Sequence, residues 1–397
     1  MIIGFCKETF PGERRVALIP DAARRLTKLG LDVLMECGAG TGAGISDAAY
    51  EEVGVRLAGS RAEVFAAAEV VLQVRALGAN PDAGRADLQL MRSGQTVIGF
   101  SEPLSAPEPV RDVGNTGVTS FAMELLPRIT RAQSMDALSS MATVAGYKAV
   151  LVAAEALPKM FPMFMTAAGT VKAARVLVVG AGVAGLQAIA TAKRLGAVVS
   201  GYDIRPAVKE QVESLGARFV EMELQPGNAE GKGGYAKAMT EEFYREQREL
   251  LAKVVAENDV VITTAAVPGK KAPLLLTRDM VKGMAPCSVI VDLAAERGGN
   301  CELTRADQTV IEHGVTILGP TNLPSTIPYH ASQMYAKNIS TLLTHLVKDR
   351  IFELNLEDEI TRETLLTHGG EVVQPRVREL LGLPEKASEK EETSRDG

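Results

Sequence analysis

The sequence has few of the residues that build disulfide frameworks and metal centres. It contains four cysteines and four histidines among 397 residues, and no two cysteines form a C-x-x-C pair. Disulfide-rich scaffolds and zinc centres need more of these residues at closer spacing. We therefore expect free thiols in a reducing cytoplasm, and no bound metal.

A surplus of basic residues and a long apolar run are also missing. The formal net charge is −6 at pH 7, which gives no indication of a nucleic-acid-binding surface. The best candidate for a bilayer span, residues 144–157, is short and carries Lys148 and Glu155. The first residues resemble the start of a strand rather than a signal peptide. With 46% hydrophobic and 23% charged residues, the chain is typical of a soluble globular protein without direct membrane insertion.

A dinucleotide-binding pattern is present between residues 174 and 205. The apolar residues 176–179 predict a buried parallel strand, and the sequence G-A-G-V-A-G follows at once. A segment with helical spacing comes next, and a second strand, residues 198–202, ends before Asp203. A glycine-rich turn by itself is weak evidence, and the alternative is an ordinary tight turn. Strand, glycines, helix, strand and acidic residue in this order predict a nucleotide site.

Each glycine of this turn has an expected role. Gly180 permits the tight turn, Gly182 lets the backbone approach a pyrophosphate, and Gly185 allows close packing of the helix. The N–H groups at the helix N-terminus are expected to bind the phosphates. Asp203 can accept hydrogen bonds from an adenine ribose with a free 2′-hydroxyl and would repel a 2′-phosphate, which favours NAD over NADP. Arg205 weakens that argument slightly, because a nearby arginine can accommodate the phosphate.

The alternation of helix and strand patterns predicts an α/β fold with two doubly wound, Rossmann-like domains. One comprises residues 1–138 with 329–383 and has no glycine turn of its own. The other, residues 139–328, carries the nucleotide motif. Two long helices, residues 139–157 and 330–346, are expected to join the domains, with a cofactor crevice between them.

Two segments outside the glycine turn carry candidate ligand-binding residues, and each has a plainer alternative. Residues 128–136, R-I-T-R-A-Q-S-M-D, could clamp an amide, a ribose or a phosphate. The alternative is a solvated interdomain loop in which Asp136 caps the following helix. The glycine-rich insert, residues 225–240, could be a lid anchored by Tyr235, or only a mobile loop.

Residues at predicted strand ends form a further group. Residues 264–269 follow a strand of the nucleotide domain and should line the nucleotide crevice. Asp292 and Glu296 follow the next strand and could be acid/base groups, although such residues more often cap turns. The charged tail, residues 384–397, lacks large apolar residues and is expected to be disordered.

Several longer segments accompany the glycine motif: I-I-G-F-C-K-E-T-F-P-G-E-R-R-V-A-L-I-P, P-R-I-T-R-A-Q-S-M-D-A-L-S-S, G-G-Y-A-K-A-M and T-T-A-A-V-P-G-K-K-A-P. With these segments the chain resembles, from residue 1 to about residue 346, the alpha subunit of proton-translocating NAD(P)+ transhydrogenase, in its soluble NAD(H)-binding component, domain I. More distantly, the chain resembles alanine dehydrogenase.

The two kinds of protein differ at the residues that would bind and protonate a keto acid. Alanine dehydrogenase-like enzymes bind the acid with an Arg and a Lys, and use a His and an Asp for proton chemistry. Here Arg15 stands at the Arg position, but the Lys motif is L-Q-V-R, ending at Arg75. The His motif is G-F-S-E-P, residues 99–103, and the Asp position is Glu296. Because reduction of a keto or imine group needs a proton donor, these differences favour the transhydrogenase.

The transhydrogenase resemblance implies roles for individual residues. Gln133 would orient the dihydronicotinamide, and the glycine-rich insert would close over the bound nucleotide. The residues expected to act in hydride transfer are Gln133, Arg128, Asp136 and Ser139. The expected cofactor contacts are Gln133, Ser134, Met135, Asp136, Gly180, Gly182, Val183, Gly185, Asp203, Ile204, Arg205, Gly234, Tyr235, Ala265 and Ala266.

The same resemblance implies partners. NADH on this chain would pass a hydride directly to NADP+ on a beta subunit, coupled to proton translocation by a separate membrane-spanning subunit. It implies a homodimer, peripheral on the cytoplasmic face of the bacterial inner membrane, since the chain ends before any membrane segment. Two other functions stay open: a self-sufficient alanine dehydrogenase-like enzyme, and a regulatory protein that senses NADH.

Overall fold

The computed structural model describes residues 1–221, 241–266 and 269–384, with only the backbone described for residues 241–244. Over these residues the chain divides into two compact units, Met1–Met141 with the segment from Ser325 onward, and Ala142–Pro324. The insert predicted at residues 225–240, and all but the first residue of the predicted tail, lie outside the described residues.

The strands and helices have the following bounds. In chain order the strands are β1 (Ile2–Phe5), β2 (Asp32–Glu36), β3 (Arg56–Ala58), β4 (Val70–Arg75), β5 (Thr96–Phe100), β6 (Thr119–Ala122), β7 (Phe164–Thr166), β8 (Gly169–Val171), β9 (Arg175–Val179), β10 (Val198–Tyr202), β11 (Arg218–Phe219), β12 (Val260–Thr263), β13 (Val289–Asp292), β14 (Thr309–Glu312), β15 (Val315–Leu318), β16 (Val347–Lys348), β17 (Ile351–Phe352), β18 (Leu365–His368) and β19 (Glu371–Val372). The helices are α1 (Pro20–Lys28), α2 (Asp47–Glu51), α3 (Arg61–Ala67), α4 (Pro107–Gly114), α5 (Ala137–Ala156), α6 (Val183–Arg194), α7 (Lys209–Ser214), α8 (Glu241–Ala256), α9 (Arg278–Lys282), α10 (Pro328–Leu346), α11 (Glu359–Thr364) and α12 (Pro375–Leu380). A 3-10 helix, Thr130–Met135, precedes α5.

The first unit is built on an eight-stranded sheet with the order β19-β18-β6-β5-β4-β1-β2-β3. Strands β1 to β6 are paired in parallel, and their order is the 3-2-1-4-5-6 of a doubly wound sheet. Strands β18 and β19 extend the sheet by antiparallel pairing at the β6 edge. Parallel strands need both faces covered, which explains the nearly unbroken apolar sequence of β4 and β5.

The second unit repeats this topology in a seven-stranded sheet, β11-β10-β9-β12-β13-β15-β14. Its first six strands are parallel and follow the same doubly wound order, and β14 pairs antiparallel with β15. Alternate residues of β9 enter different cores: Val176 and Val178 pack into one cluster, Leu177 and Val179 into another. A strand whose side chains are buried on both faces is central in its sheet. The prediction of two doubly wound α/β domains is confirmed.

Helix α5 contains the boundary between the units, and α10 begins at Pro328, shortly after the second boundary. By length and mean hydropathy α5 is the one described helix that could cross a membrane, which on its own is weak evidence. Its residues Ala149, Val150 and Ala153 are fully buried in the core cluster that contains Val176 of β9. The structure therefore gives α5 the packing of a core helix.

Several elements were not predicted from the sequence. The hairpin β14–β15 turns at His313 and Gly314, and the hairpin β18–β19 turns at Gly369 and Gly370, all four with positive φ. Paired positive φ values are typical of two-residue hairpin turns, so the H-G and G-G dipeptides between apolar runs were the available signal. Two further hairpins are β7–β8, between α5 and β9, and β16–β17, directly after α10.

Candidate functional site

The glycine turn of the second unit lies between β9 and α6, and its glycines are required by close contacts. Gly180 has φ +100°, and a Cβ there would lie 2.5 Å from Thr264 Oγ1. A Cβ on Gly185 would lie 1.8 Å from the carbonyl oxygen of Gly180. Gly182, by contrast, has no atom of the described residues, apart from its chain neighbours, within 4 Å of the position that a Cβ would occupy. The turn is thus tightly packed on the protein side and open at Gly182.

Helix α6 begins at this opening. Its N-cap is Gly182, no side chain of a described residue caps it, and its first turn contains no acidic residue. A helix N-terminus of this kind attracts anions through its N–H groups and its dipole. Gly146 of α5 allows an unusually close approach to the start of α6, because a Cβ there would lie 2.1 Å from the carbonyl oxygen of Ala184. Gly146 was not predicted to matter.

Asp203 ties the end of β10 to the glycine turn. Its carboxylate accepts hydrogen bonds from the backbone N–H of Ala181 at 2.7 Å and of Arg205 at 2.9 Å. The Arg205 guanidinium donates to both carboxylate oxygens, at 2.9 and 2.8 Å. Ile204 packs against the core cluster of Leu177 and Val179. A ribose diol that binds Asp203 would have to compete with Arg205 for the same oxygens.

The end of β12 completes the group of predicted residues in this unit. Thr264 Oγ1 donates to the carbonyl oxygen of Gly180 at 3.0 Å. Ala265 is clamped by the fully buried Asn300, whose Oδ1 accepts from Ala265 N at 3.1 Å and whose Nδ2 donates to Ala265 O at 2.9 Å. Ala266 is exposed beside it. The second unit thus brings the glycine turn, Asp203 and Ala265 to one end of its sheet.

Asp292 belongs to the support of this loop. It is fully buried, and its carboxylate accepts hydrogen bonds from Thr263 Oγ1, Ala294 N, Asn300 N, Cys301 N and Thr304 Oγ1. A buried carboxylate that accepts five hydrogen bonds from the surrounding protein holds those groups in place. The turn-capping alternative therefore describes Asp292.

The predicted nicotinamide loop belongs to the first unit. Ala132 and Met135 are buried, whereas Arg128, Gln133 and Ser134 are exposed. Asp136 caps α5: its carboxylate accepts from Ser139 N at 2.9 Å and from Ser139 Oγ at 2.6 Å. The capping alternative for Asp136 is thus what the structure shows, and Asp136 and Ser139 act as one local unit. Gly234 and Tyr235 lie outside the described residues.

A buried charge cluster that was not predicted as such lies in the first unit, where its strand order reverses between β1 and β4. Glu13, whose side chain is fully buried, accepts from Arg15 Nε at 2.7 Å and from the same guanidinium at 2.6 Å. Arg75 Nε donates to the same carboxylate at 3.2 Å, and its guanidinium lies 4.2 Å from the centroid of the Phe10 ring. The two arginines that the alanine dehydrogenase comparison singled out therefore share an internal carboxylate.

Two buried carboxyl groups flank that cluster. Burial raises the pKa of Glu8 to about 7, against the lowering effect of hydrogen bonds from Val74 N and Arg75 N. Burial raises the pKa of Glu124 to about 8. Glu124 Oε1 accepts from the backbone N–H groups of Ser101 at 2.6 Å and Glu102 at 2.7 Å, so it holds the G-F-S-E-P loop in place. Among the described residues, no group of three or more His, Cys, Asp or Glu side chains could hold a metal ion.

Comparison with known proteins agrees with this geometry. Residues 4–145 match the family described as alanine dehydrogenase/PNT, N-terminal domain, and residues 149–375 match its C-terminal domain. The chain is 47% identical over 378 residues to the first part of the NAD(P) transhydrogenase subunit alpha of Rhodospirillum rubrum, covering 94% of this chain and 98% of the relative.

Solved structures give the same result. The transhydrogenase of Sinorhizobium meliloti superposes with a TM-score of 0.82 at 45% identity, covering 94% of this chain and 99% of that one. An L-alanine dehydrogenase superposes with a TM-score of 0.78 at 25% identity, covering 96% and 99%. The chain therefore belongs to the alanine dehydrogenase/PNT family and is more similar there to the transhydrogenase alpha subunits than to alanine dehydrogenase.

Proposed function

We propose that this chain is the NAD(H)-binding component of a proton-translocating, Re/Si-specific NAD(P)+ transhydrogenase. It holds NADH while a hydride passes directly to NADP+ on a partner beta subunit. The observation that carries the proposal is the β9–glycine turn–α6 unit with Asp203 bonded to its backbone. Similarity to the transhydrogenase alpha subunits supports this choice of reaction.

The second unit fits a dinucleotide at each of its parts. The open backbone at Gly182 and the uncapped start of α6 suit a pyrophosphate, with Val183 in the first turn. Asp203 suits a ribose 2′-hydroxyl and disfavours a 2′-phosphate. Arg205 leaves this carboxylate partly shared, so ribose binding exchanges one hydrogen-bond partner for another. Ala265 and Ala266 form a small-residue wall at the neighbouring strand end.

The first unit would supply the residues near the nicotinamide, which when bound carries the hydride. Transfer between two nicotinamides needs no proton from a side chain, so the protein has to orient rings and exclude water. Gln133 is exposed and would orient the carboxamide, with Arg128 and Ser134 beside it. Asp136 and Ser139 are occupied with each other and would act by fixing the start of α5. Met135 is buried and supports the loop from inside.

The alanine dehydrogenase alternative has less support. A keto acid carboxylate needs a cation to bind it, but both Arg15 and Arg75 already share Glu13. The loop of residues 99–103 contains no histidine, and its backbone is held by Glu124. A purely regulatory NADH-sensing role would leave the exposed Gln133 loop without a reaction to serve.

A homodimer forms part of the proposal, and the β7–β8 hairpin supports it. Phe164, Met165 and Val171 on this hairpin are 45%, 80% and 42% exposed. An isolated two-stranded hairpin is marginally stable in water, so an exposed apolar one is well suited to pack on a second copy of the chain. We expect Met165→Ser to weaken the dimer in sedimentation velocity, whereas Ile311→Ser on β14, 71% exposed, leaves it intact. A wild-type monomer would contradict the proposal.

The remaining partners follow from the transhydrogenase reaction. An NADP(H)-binding beta subunit and a separate membrane-spanning subunit would complete the complex, with this chain peripheral on the cytoplasmic face of the bacterial inner membrane. Proton translocation would take place in the membrane subunit.

The function is tested by following NADH fluorescence of the purified chain in three mixtures. A change on mixing shows binding. We expect no decay after addition of pyruvate and ammonium. After addition of the NADP(H)-binding component with NADP+ we expect NADPH to form at the expense of NADH, which is measured by chromatographic separation because both reduced nucleotides fluoresce. Decay with pyruvate and ammonium would establish alanine dehydrogenase activity instead, and binding with neither decay nor NADPH formation would favour the sensor.

A further inference from the structure

The loop that carries Gln133 is held by two side chains of the first unit that are distant in sequence. They are separated from their partners in the loop by 204 and 227 positions along the chain. These residues, Asn338 on α10 and Asp358 before α11, contact the loop on either side of Gln133. Neither was a predicted functional residue, and neither belongs to the glycine-turn site.

Asn338 holds the loop on its C-terminal side. Its Nδ2 donates a 3.0 Å hydrogen bond to the backbone carbonyl of Ser134, the residue after Gln133. Asn338 is buried, and its Oδ1 has no hydrogen-bond partner among the described residues. A buried amide that donates one hydrogen bond to a backbone carbonyl and leaves its oxygen without a donor contributes little or nothing to the free energy of unfolding. The contact to the loop is therefore the gain that Asn338 provides.

Asp358 holds the loop on its N-terminal side. Its Oδ2 accepts from the Arg131 guanidinium at 2.5 Å. Its Oδ1 accepts from Thr361 N at 3.0 Å, which caps α11, and lies 2.9 Å from His345 Nε2. Burial by itself would raise the pKa of Asp358, but these hydrogen bonds outweigh it and hold the pKa well below its usual range. Asp358 is thus a charged and rigidly placed anchor for Arg131.

We propose that Asn338 and Asp358 are positioning residues for hydride transfer, which fix the backbone on both sides of Gln133. The inference rests on the proposed function, because it gives Gln133 the task of orienting the nicotinamide. An exposed side chain on a loosely held loop samples many orientations, and misplacement by about 1 Å can cost about a hundredfold in rate. The anchors restrict that sampling without touching the cofactor.

The test uses the full chain with the NADP(H)-binding component. We expect Asn338→Leu to lower kcat for hydride transfer about tenfold and Asp358→Asn to lower it about threefold, while the KM for NADH changes less than twofold. The matched control is Asp112→Asn, which removes the same charge from an ion pair with Arg85 in the same unit, at 3.1 Å, and is expected to leave kcat unchanged. A rise in KM without a fall in kcat would overturn the positioning role.

A double-mutant cycle separates positioning from general destabilisation. Gln133→Asn combined with Asn338→Leu should be no slower than Gln133→Asn alone, because Asn338 acts through Gln133. Independent, multiplying losses would overturn the proposal.

A second readout does not depend on turnover. Backbone amides of residues 131–135 should exchange with deuterium faster in Asn338→Leu than in the wild type, without nucleotide and at equal global stability. Unchanged exchange would overturn the anchoring. If the wild type shows no turnover, the proposed function is contradicted, and the positioning role with it. In that case the difference in deuterium exchange between Asn338→Leu and the wild type would still be observed, because it depends only on the anchoring of the loop.

Discussion

In both units the strand order reverses between the first and fourth parallel strands, β1 and β4 in one and β9 and β12 in the other. Ligands of doubly wound sheets bind at such a point. In the second unit this point is built of glycines and leaves open space at Gly182. In the first unit it is filled by Glu13 with Arg15 and Arg75. The same strand order therefore gives each unit one possible ligand site. The side chains at each site determine the difference: the site in the second unit is left for a ligand, and the site in the first unit is occupied by the protein's own ion pairs.

The largest effect is expected when the buried ion-pair cluster of Glu13, Arg15 and Arg75 is disrupted. Glu13→Gln would leave two buried guanidinium groups without their shared carboxylate, which costs about 3–5 kcal/mol of unfolding free energy. Urea unfolding monitored by circular dichroism measures this loss. Glu13→Gln with Arg15→Met should lose less than the sum of the single changes, because one of the two guanidinium groups that shared Glu13 is gone. A loss below about 1 kcal/mol in the single variant would show that the cluster is solvated.

The glycine turn of the second unit is expected to be disrupted by a methyl group at Gly185. Gly185→Ala places a Cβ 1.8 Å from the Gly180 carbonyl oxygen and should cost about 3 kcal/mol and abolish NADH binding. Gly182→Ala is the matched control, since its Cβ meets no atom within 4 Å among the described residues and should change stability by less than about 0.5 kcal/mol. Weaker NADH binding in Gly182→Ala, measured by calorimetry, would show that the ligand approaches this backbone. Equal affinity would place the pyrophosphate elsewhere.

Asp203 sharpens the specificity of the open site. Asp203→Ala should weaken NADH binding about tenfold, or about 1.4 kcal/mol, and leave NADPH binding unchanged or stronger, because the carboxylate that repels a 2′-phosphate is gone. Fluorescence titration with both nucleotides measures the two affinities. A parallel loss for NADH and NADPH would instead indicate damage to the turn, since Asp203 also accepts from Ala181 N.

The pH dependence of stability tests the buried acids of the first unit. The pKa of Glu124 is about 8 in the folded protein and 4.5 as its ordinary value. The folded state therefore holds this proton more tightly, and its contribution to stability, complete below about pH 4.5, is lost as pH rises to about 8. Glu124→Gln mimics the neutral acid and should flatten the decline in unfolding free energy between pH 5 and about pH 8. A decline as steep as in the wild type would assign it to other groups, such as Glu8.

The open site could be predicted from sequence because it is local. Strand, glycines, helix and Asp203 lie within about thirty residues, and each glycine has a backbone reason that needs no knowledge of distant segments. The predicted strand at residues 176–179 lies within the observed Arg175–Val179, and the strand at 198–202 is Val198–Tyr202. By contrast, the two long helices predicted at residues 139–157 and 330–346 begin two residues earlier, at Ala137 and Pro328, because propensity does not specify the first turn.

Only some features of the predicted nicotinamide loop could be inferred from the sequence. The capping of α5 by Asp136 was predictable as an alternative, because a cap involves residues three positions apart. The roles of Gln133 and of the other predicted contacts stay predictions. The anchors Asn338 and Asp358 had no sequence signal, since their partners lie more than 200 positions away.

The sequence by itself determined the doubly wound sheets and the glycine turn, because apolar periodicity and backbone conformation act over a few neighbouring residues. Only the tertiary structure decided that Glu13 pairs with two arginines where the strand order of the first sheet reverses. It also decided that Asp292 is buried beneath the loop of Asn300, and that α10 contacts the loop of Gln133. Those outcomes depend on which distant charges and amides become neighbours when the chain packs, and burial then fixes whether each is paired with the protein or left for a ligand.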